Sequence, residues 1–157
     1  MSARLIQRLF PARADRESYA GRPAALWLLG LFIALKAIIG LNGTFNARSV
    51  ATGADGIVLD GLGEVAIETI LQLFRALSLA QLPLVLIGVA VLLRWRSMAP
   101  FLFLVLLTEQ FARRLLAAVQ AAPREAAAPG SWISLGLLLI LILGLALSLW
   151  PRKHFRP

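Results

Sequence analysis

Four stretches of nearly unbroken apolar sequence set the rhythm of the chain, separated by short segments rich in arginine, glycine and proline. The first runs from about Ala24 to Leu41 and holds a single charge, Lys36. The second covers 72–93; it is cleanly apolar from Leu82, but its earlier half carries Gln72, Arg75 and Gln81. The third covers 98–120 and is interrupted by Thr108, Glu109, Gln110, Arg113 and Arg114. The fourth, 131–150, has no charge at all. A helix rising about 1.5 Å per residue needs about 20 mainly apolar residues to cross about 30 Å of hydrocarbon. The pattern therefore predicts an all-α integral membrane four-helix bundle, a single domain over 1–157. Barrel strands would alternate apolar and polar residues, which these runs do not. Four buried helices in a soluble fold would leave too little polar sequence to make an outer surface.

The connecting segments carry their own signals. Residues 1–23 read as a cytoplasmic amphipathic segment: Leu5, Ile6, Leu9 and Phe10 fall on one helical face and Arg4 and Arg8 on another, as in a helix lying in the membrane interface. Pro11 ends that helix, and Pro23 opens span one, where its missing N–H costs nothing. The apolar core of span one exceeds the about 7–15 residues of a signal-peptide core, so it reads as an anchor. The outer loop, 42–63, contains Asn42-Gly43, Asp55-Gly56 and Asp60-Gly61, all turn signals. Asp60 is the expected N-cap of the helix leading into span two. Pro123 and Pro129-Gly130 separate spans three and four.

Composition narrows the functional classes. Of 157 residues 59% are hydrophobic and only 15% charged, against about 45–50% and about 25% for ordinary soluble chains. With no cysteine and a lone histidine, His154, neither a disulfide framework nor a metal or haem centre is expected, and no cofactor is implied. The net charge of +8 would suggest nucleic acid in a soluble protein, but here most cations flank the spans on one side. Arg4, Arg8, Arg13, Arg16 and Arg22 precede span one, Arg94 and Arg96 lie between spans two and three, and Arg152, Lys153 and Arg156 follow span four. The other side mixes Arg48 and Arg124 with Asp55, Asp60, Glu64 and Glu125. The positive-inside bias then predicts both termini in the cytoplasm, facing anionic lipid and no nucleic acid. Trp27, Trp95, Trp150 and Trp132 all fall near predicted span ends, where amphipathic rings favour the headgroup layer. The alanine, leucine and arginine bias fits a GC-rich bacterial coding sequence, which would make the membrane a bacterial inner membrane.

One constellation stands out by depth. Lys36 lies about 18 Å along span one and Glu109 about 16 Å along span three, so these opposite charges share a level. Arg113 and Arg114 follow at about 22–24 Å, and Arg75 lies about 27 Å along span two. Charges at such depth cost at least about 2.5–3.5 kcal/mol to insert and should face inward and pair. Arg113 is one turn from Glu109, and Arg114 one turn from Gln110; Glu68, Gln72 and Arg75 share a face of their helix. Lys36, Arg75, Glu109, Arg113 and Arg114 are thus the candidate cluster, with Glu68, Gln72 and Gln110 secondary. Span four, with only Ser134 and Ser148, is expected to be a lipid-facing wall whose Gly144 permits close packing.

In size, span count, and a lysine in span one with a glutamate opening span two (Lys36 and Glu68), the chain resembles the DoxX-like family of small membrane proteins, some of which are quinone-linked subunits of oxidoreductases. The resemblance rests on those features alone and transfers no activity. The sequence shows no serine–histidine arrangement, facing carboxylates or phosphate-binding glycine loop within the spans, so no catalytic residue is assigned. The expected function is a non-enzymatic accessory subunit that packs against another membrane protein or a second copy. The alternative is a binding or transport protein, holding an anionic or quinone-like ligand or a lipid headgroup between spans one to three.

Overall fold

The computed structural model describes Tyr19, residues 21–119 and residues 129–150. The amphipathic segment over 2–10, the cations Arg4 to Arg16, the loop with Arg124 and Glu125, and the basic tail from Arg152 lie outside the described residues. Those described form helices and turns, with no strand among them.

Helix α1 (Pro23–Phe45) opens on its proline and runs past Leu41, so Asn42-Gly43 is helix interior and not a turn. The reason is contact: a Cβ on Gly43 would strike the hydroxyl of Ser78 and lie 3.0 Å from its Cβ. The glycine serves the close approach of two helices rather than a change of direction. After Asn46 the chain makes a turn of helix (Ala47–Ser49) and a π-helical turn (Val50–Ala54). It then bends at Gly56 and Gly61, whose φ of 65° and 82° realise the two Asp-Gly signals. Left-handed Gly61 also explains why Asp60 is not the helix cap. Helix α2 (Glu64–Leu79) begins only after Gly63, which occupies the N-cap position.

A break at Ala80–Gln81 separates α2 from α3 (Leu82–Arg94). Pro83 supplies the cause, since its ring crowds the carbonyl one turn back and it has no N–H to continue the ladder. A short 3₁₀ turn, Arg96–Met98, leads into α4 (Ala99–Val119), and α5 (Gly130–Leu149) ends the described chain. These bounds match the predicted spans closely except for the second, which begins eight residues earlier than periodicity suggested.

Helix α1 packs against α5, α2 and α3, and α4 lies along α5. Side-chain registers show that these neighbours run antiparallel. Ile33 meets Gly88 and Gly40 meets Leu82 between α1 and α3, while Phe103 meets Gly144 and Gln110 meets Ser134 between α4 and α5. At one end, the terminal end, the Arg22 N–H donates to the Leu147 carbonyl at 3.2 Å. The Arg22 guanidinium there lies 5.3 Å from the Trp150 ring centroid. The opposite, loop end carries the segment over 46–63. The main core is apolar throughout and takes residues from four helices, with Leu29, Phe32, Phe103, Leu106 and Leu141 fully buried. A second cluster of Ala47, Ala51, Leu59 and Leu71 folds the loop segment onto α2.

Three helices are long and apolar enough to cross a membrane: α1, the 31 residues of α2 and α3 taken together, and the 20 of α5. Large apolar side chains cover their outer faces, among them Leu31, Ile38, Leu86, Ile87, Leu139 and Leu143. An apolar exterior of this extent belongs against lipid, and the chain is a membrane protein. Helix α4 has 21 residues but is set apart by Glu109, Arg113 and Arg114 in its second half.

Candidate functional site

The site is built where α1 and α4 face each other toward the loop end. Lys36 lies on the inward face of α1, one turn beyond Phe32, and is only 4% exposed. Its Nζ donates to Glu109 Oε2 at 2.6 Å across 73 residues of sequence. The Phe32 ring, with its centroid 5.8 Å from Nζ, covers the ammonium from below. The other carboxylate oxygen, Oε1, accepts from Arg113 Nε one turn further along α4. Both oxygens of Glu109 are therefore engaged, one by each cation, in a chain running from buried ammonium to half-buried guanidinium.

The neighbours on α4 turn toward α5. Gln110 is buried, and its Nε2 donates to Ser134 Oγ at 3.1 Å and lies 3.4 Å from the Ser134 carbonyl. Arg114 Nη2 reaches the Ser131 carbonyl at 3.5 Å. These contacts set the depth of the cluster: Glu109 lies beside the level of Ser134, about 6 Å along α5 from its first residue at about 1.5 Å per residue. The charges thus lie near the first turn of α5, whereas Glu109 is the central residue of α4 and Lys36 lies past the middle of α1.

Of the residues singled out by sequence, Lys36, Glu109 and Arg113 come together, with Gln110 and Arg114 adjoining through α5. Glu68, Gln72 and Arg75 do not join them. All three lie on the exposed face of α2, where Arg75 Nη1 stands 3.9 Å from Glu68 Oε2. Length gives the physical reason. The 31 residues of α2 and α3 extend about 45 Å, about 15 Å more than the hydrocarbon is thick. With Arg94 at one boundary, Glu68 and Gln72 stand beyond the other and Arg75 at its rim, where charge is tolerated.

Sequence reasoning did not single out Asp55 as part of this region. Its Oδ1 lies 2.7 Å from where a Cβ on Gly130 would be, so a carboxylate from the loop segment stands at the first residue of α5. The only signal was Gly130 itself, the one residue that leaves the carboxylate room, and it was legible only as a turn. The Ser134 hydroxyl was recognised as polar in span four, but nothing in the sequence paired it with Gln110.

No family model, curated protein or solved structure matches the chain. The resemblance to DoxX-like proteins therefore gains no support beyond the features that suggested it. Of the two residues that carried it, Lys36 pairs with Glu109 and Glu68 with Arg75.

Proposed function

We propose that this chain is a four-span bundle of a bacterial inner membrane, both termini cytoplasmic, serving as a non-enzymatic accessory or interaction subunit. The observation that carries the reading is the closed contact of Lys36, Glu109 and Arg113. A carboxylate with each oxygen engaged by a different cation locks two distant helices together. Removing one partner from such a pair is far more costly than forming it is profitable, so the pair specifies a unique packing of α1 on α4. Helix α4 becomes the fourth span in this reading because its charges point inward or toward the loop-end interface. It packs along α5 from Phe103 beside Gly144 to Arg114 beside Ser131.

Sidedness follows from charge. Every acidic residue among those described, Asp55, Asp60, Glu64, Glu68 and Glu109, belongs to the loop-end half, whereas Arg22, Arg94 and Arg96 stand at the terminal end. That end, cationic and without an acid among the described residues, faces the cytoplasm and its anionic lipid. The partner is a second membrane protein or another copy of this chain. The outward face of α2 supports that choice, since it mixes Val65, Leu73 and Leu77 with Glu68, Gln72 and Arg75 at and above the headgroup layer.

Affinity isolation of the full chain in mild detergent, with mass spectrometry of proteins and small molecules, tests this reading. A membrane protein co-isolating in near-equal amount, or a homo-oligomer of defined mass, is the expected result. A monomer carrying a stoichiometric quinone or soluble metabolite would overturn it in favour of a binding or transport protein.

A further inference from the structure

Helix α2 is held on one side only. Its main neighbours are α1 and the loop segment, which it meets through Ile67, Ile70, Leu71, Phe74 and Ser78. The opposite side carries Val65, Thr69, Gln72, Ala76 and Leu79, every one of them exposed. They recur at steps of four, three, four and three residues, a mean period of 3.5. That is the seam along which two helices wind side by side, and small Thr69 and Ala76 let their backbones approach.

Neither water nor hydrocarbon suits this face along its length. Val65 is 83% and Leu79 54% exposed, which disfavours water. Gln72 on the seam, with Glu68 and Arg75 beside it, disfavours hydrocarbon. A protein surface crossing the same boundary meets both needs, and Gln72 selects a second copy of this chain. Its carboxamide sits at the centre of the seam with no hydrogen-bond partner among the described residues. Two copies inserted in the same orientation are related by an axis along the membrane normal, so a residue on that axis meets its own counterpart. A carboxylate or guanidinium there would face a like charge, whereas a carboxamide has donors and an acceptor and pairs with itself. The charged groups keep clear of the axis. Glu68 and Arg75 lie together on one flank, 3.9 Å apart, and neutralise each other. Glu64, in the first turn, is met by the partial positive charge of its own helix. The face therefore carries no unbalanced charge that would select a partner of opposite sign.

We propose that α2 is the interface of a parallel homodimer. Val65, Thr69, Gln72, Ala76 and Leu79 pack against the same residues of a second copy, and the two Gln72 carboxamides bond across the two-fold axis. This rests on the reading of the chain as an interaction subunit and names its partner.

The test uses the full chain, whose lack of native cysteine makes single substitutions clean reporters. After oxidation in native membranes, Thr69→Cys, Gln72→Cys and Ala76→Cys should form disulfide-linked dimers. Leu77→Cys, 55% exposed but off the seam, should not. In mild detergent, light scattering should give a dimer mass for the wild type. Ala76→Phe alters only the outward face and should keep the wild-type circular dichroism. It should raise the dimer dissociation constant about tenfold or more, as overpacking an interface implies. Gln72→Ala should raise it about threefold, as loss of an interhelical hydrogen bond implies. Cross-linking of Leu77→Cys as strong as that on the seam, or equally tight dimers of wild type and Ala76→Phe, would overturn the α2 interface and leave a self-associating chain. A monomeric, uncross-linked wild type holding a stoichiometric second membrane protein would overturn the homodimer but not the interaction reading. A monomer with no protein partner would overturn both.

Discussion

The two ends of the Lys36–Glu109 contact are unequal, and that inequality is measurable. Glu109 has two cationic partners, whereas Lys36, almost wholly buried, has one anion and the face of Phe32. Glu109→Gln leaves a buried ammonium with only a neutral acceptor and should cost about 3 kcal/mol. Lys36→Met leaves Glu109 still paired with Arg113, and should cost roughly half as much. The double variant should unfold closer to the wild type than Glu109→Gln does, read from denaturation midpoints in detergent micelles. Tyr19 gives a second prediction outside the spans. Its hydroxyl is buried with no hydrogen-bond partner, and desolvation by burial pushes the phenol up to about 12. Tyr19→Phe removes an unsatisfied polar atom and should stabilise the protein by about 1 kcal/mol near neutral pH. Because the folded chain holds this proton more tightly than the unfolded one, stability of the wild type should fall as pH rises from about 10 toward 12. The difference between the two proteins should widen over that range, and a constant difference would remove the argument. The ion pair was legible in the sequence because a lone charge in an apolar run must find a partner at its own depth. Gln110–Ser134 and Arg22–Trp150 were not, since neutral amides, hydroxyls and interfacial rings can be satisfied in many ways.

At the level of helices, glycines record where two backbones come together. A Cβ on Gly144 would fall on the ring of Phe103, a side chain with no exposed surface and no room to swing away. A Cβ on Gly88 would fall on the Cδ1 end of Ile33, which can turn about its own bonds. Gly144→Ala should therefore cost about 1–3 kcal/mol, the usual range for overpacking a core, and Gly88→Ala distinctly less. Thermal unfolding of the two variants side by side checks the order, and equal losses would mean that Phe103 has more freedom than its burial implies. Hydrophobic runs located α1, α3, α4 and α5 to within a few residues, because length and apolarity are enforced by the bilayer. They placed α2 less well. Its first two turns alternate Glu64, Val65, Ile67 and Glu68 in a pattern suited to a helix covered on one side by the loop segment, and only the cluster around Leu59 and Leu71 reveals that cover. Gly43 was misread for the complementary reason: Asn-Gly is a turn signal in isolation, and only the neighbouring Ser78 makes it an interior packing position.

For the whole molecule the number of bilayer crossings hinges on α4. Three helices meet the requirement of length and apolarity without qualification. An odd number of crossings would place Arg22 and Trp150 on opposite sides, yet Arg22 N–H and the Leu147 carbonyl are hydrogen-bonded at the same end. Helix α4 also runs antiparallel to α5 from Phe103 beside Gly144 to Arg114 beside Ser131, matching it in depth almost throughout. In the proposed four-span arrangement α4 accompanies α5, and pairing of Glu109 with Lys36 and Arg113 offsets part of the cost of its charges. The absence of native cysteine makes this directly measurable with single substitutions and a membrane-impermeant maleimide. Gly53 has open space where its side chain would grow, and Val119 and Arg96 are exposed. Gly53→Cys and Val119→Cys should label in intact cells, and Arg96→Cys only after permeabilisation. Labelling of Arg96→Cys together with Gly53→Cys in intact cells would place both ends of the α2–α3 pair on one side, and the four-span arrangement would then have to be abandoned.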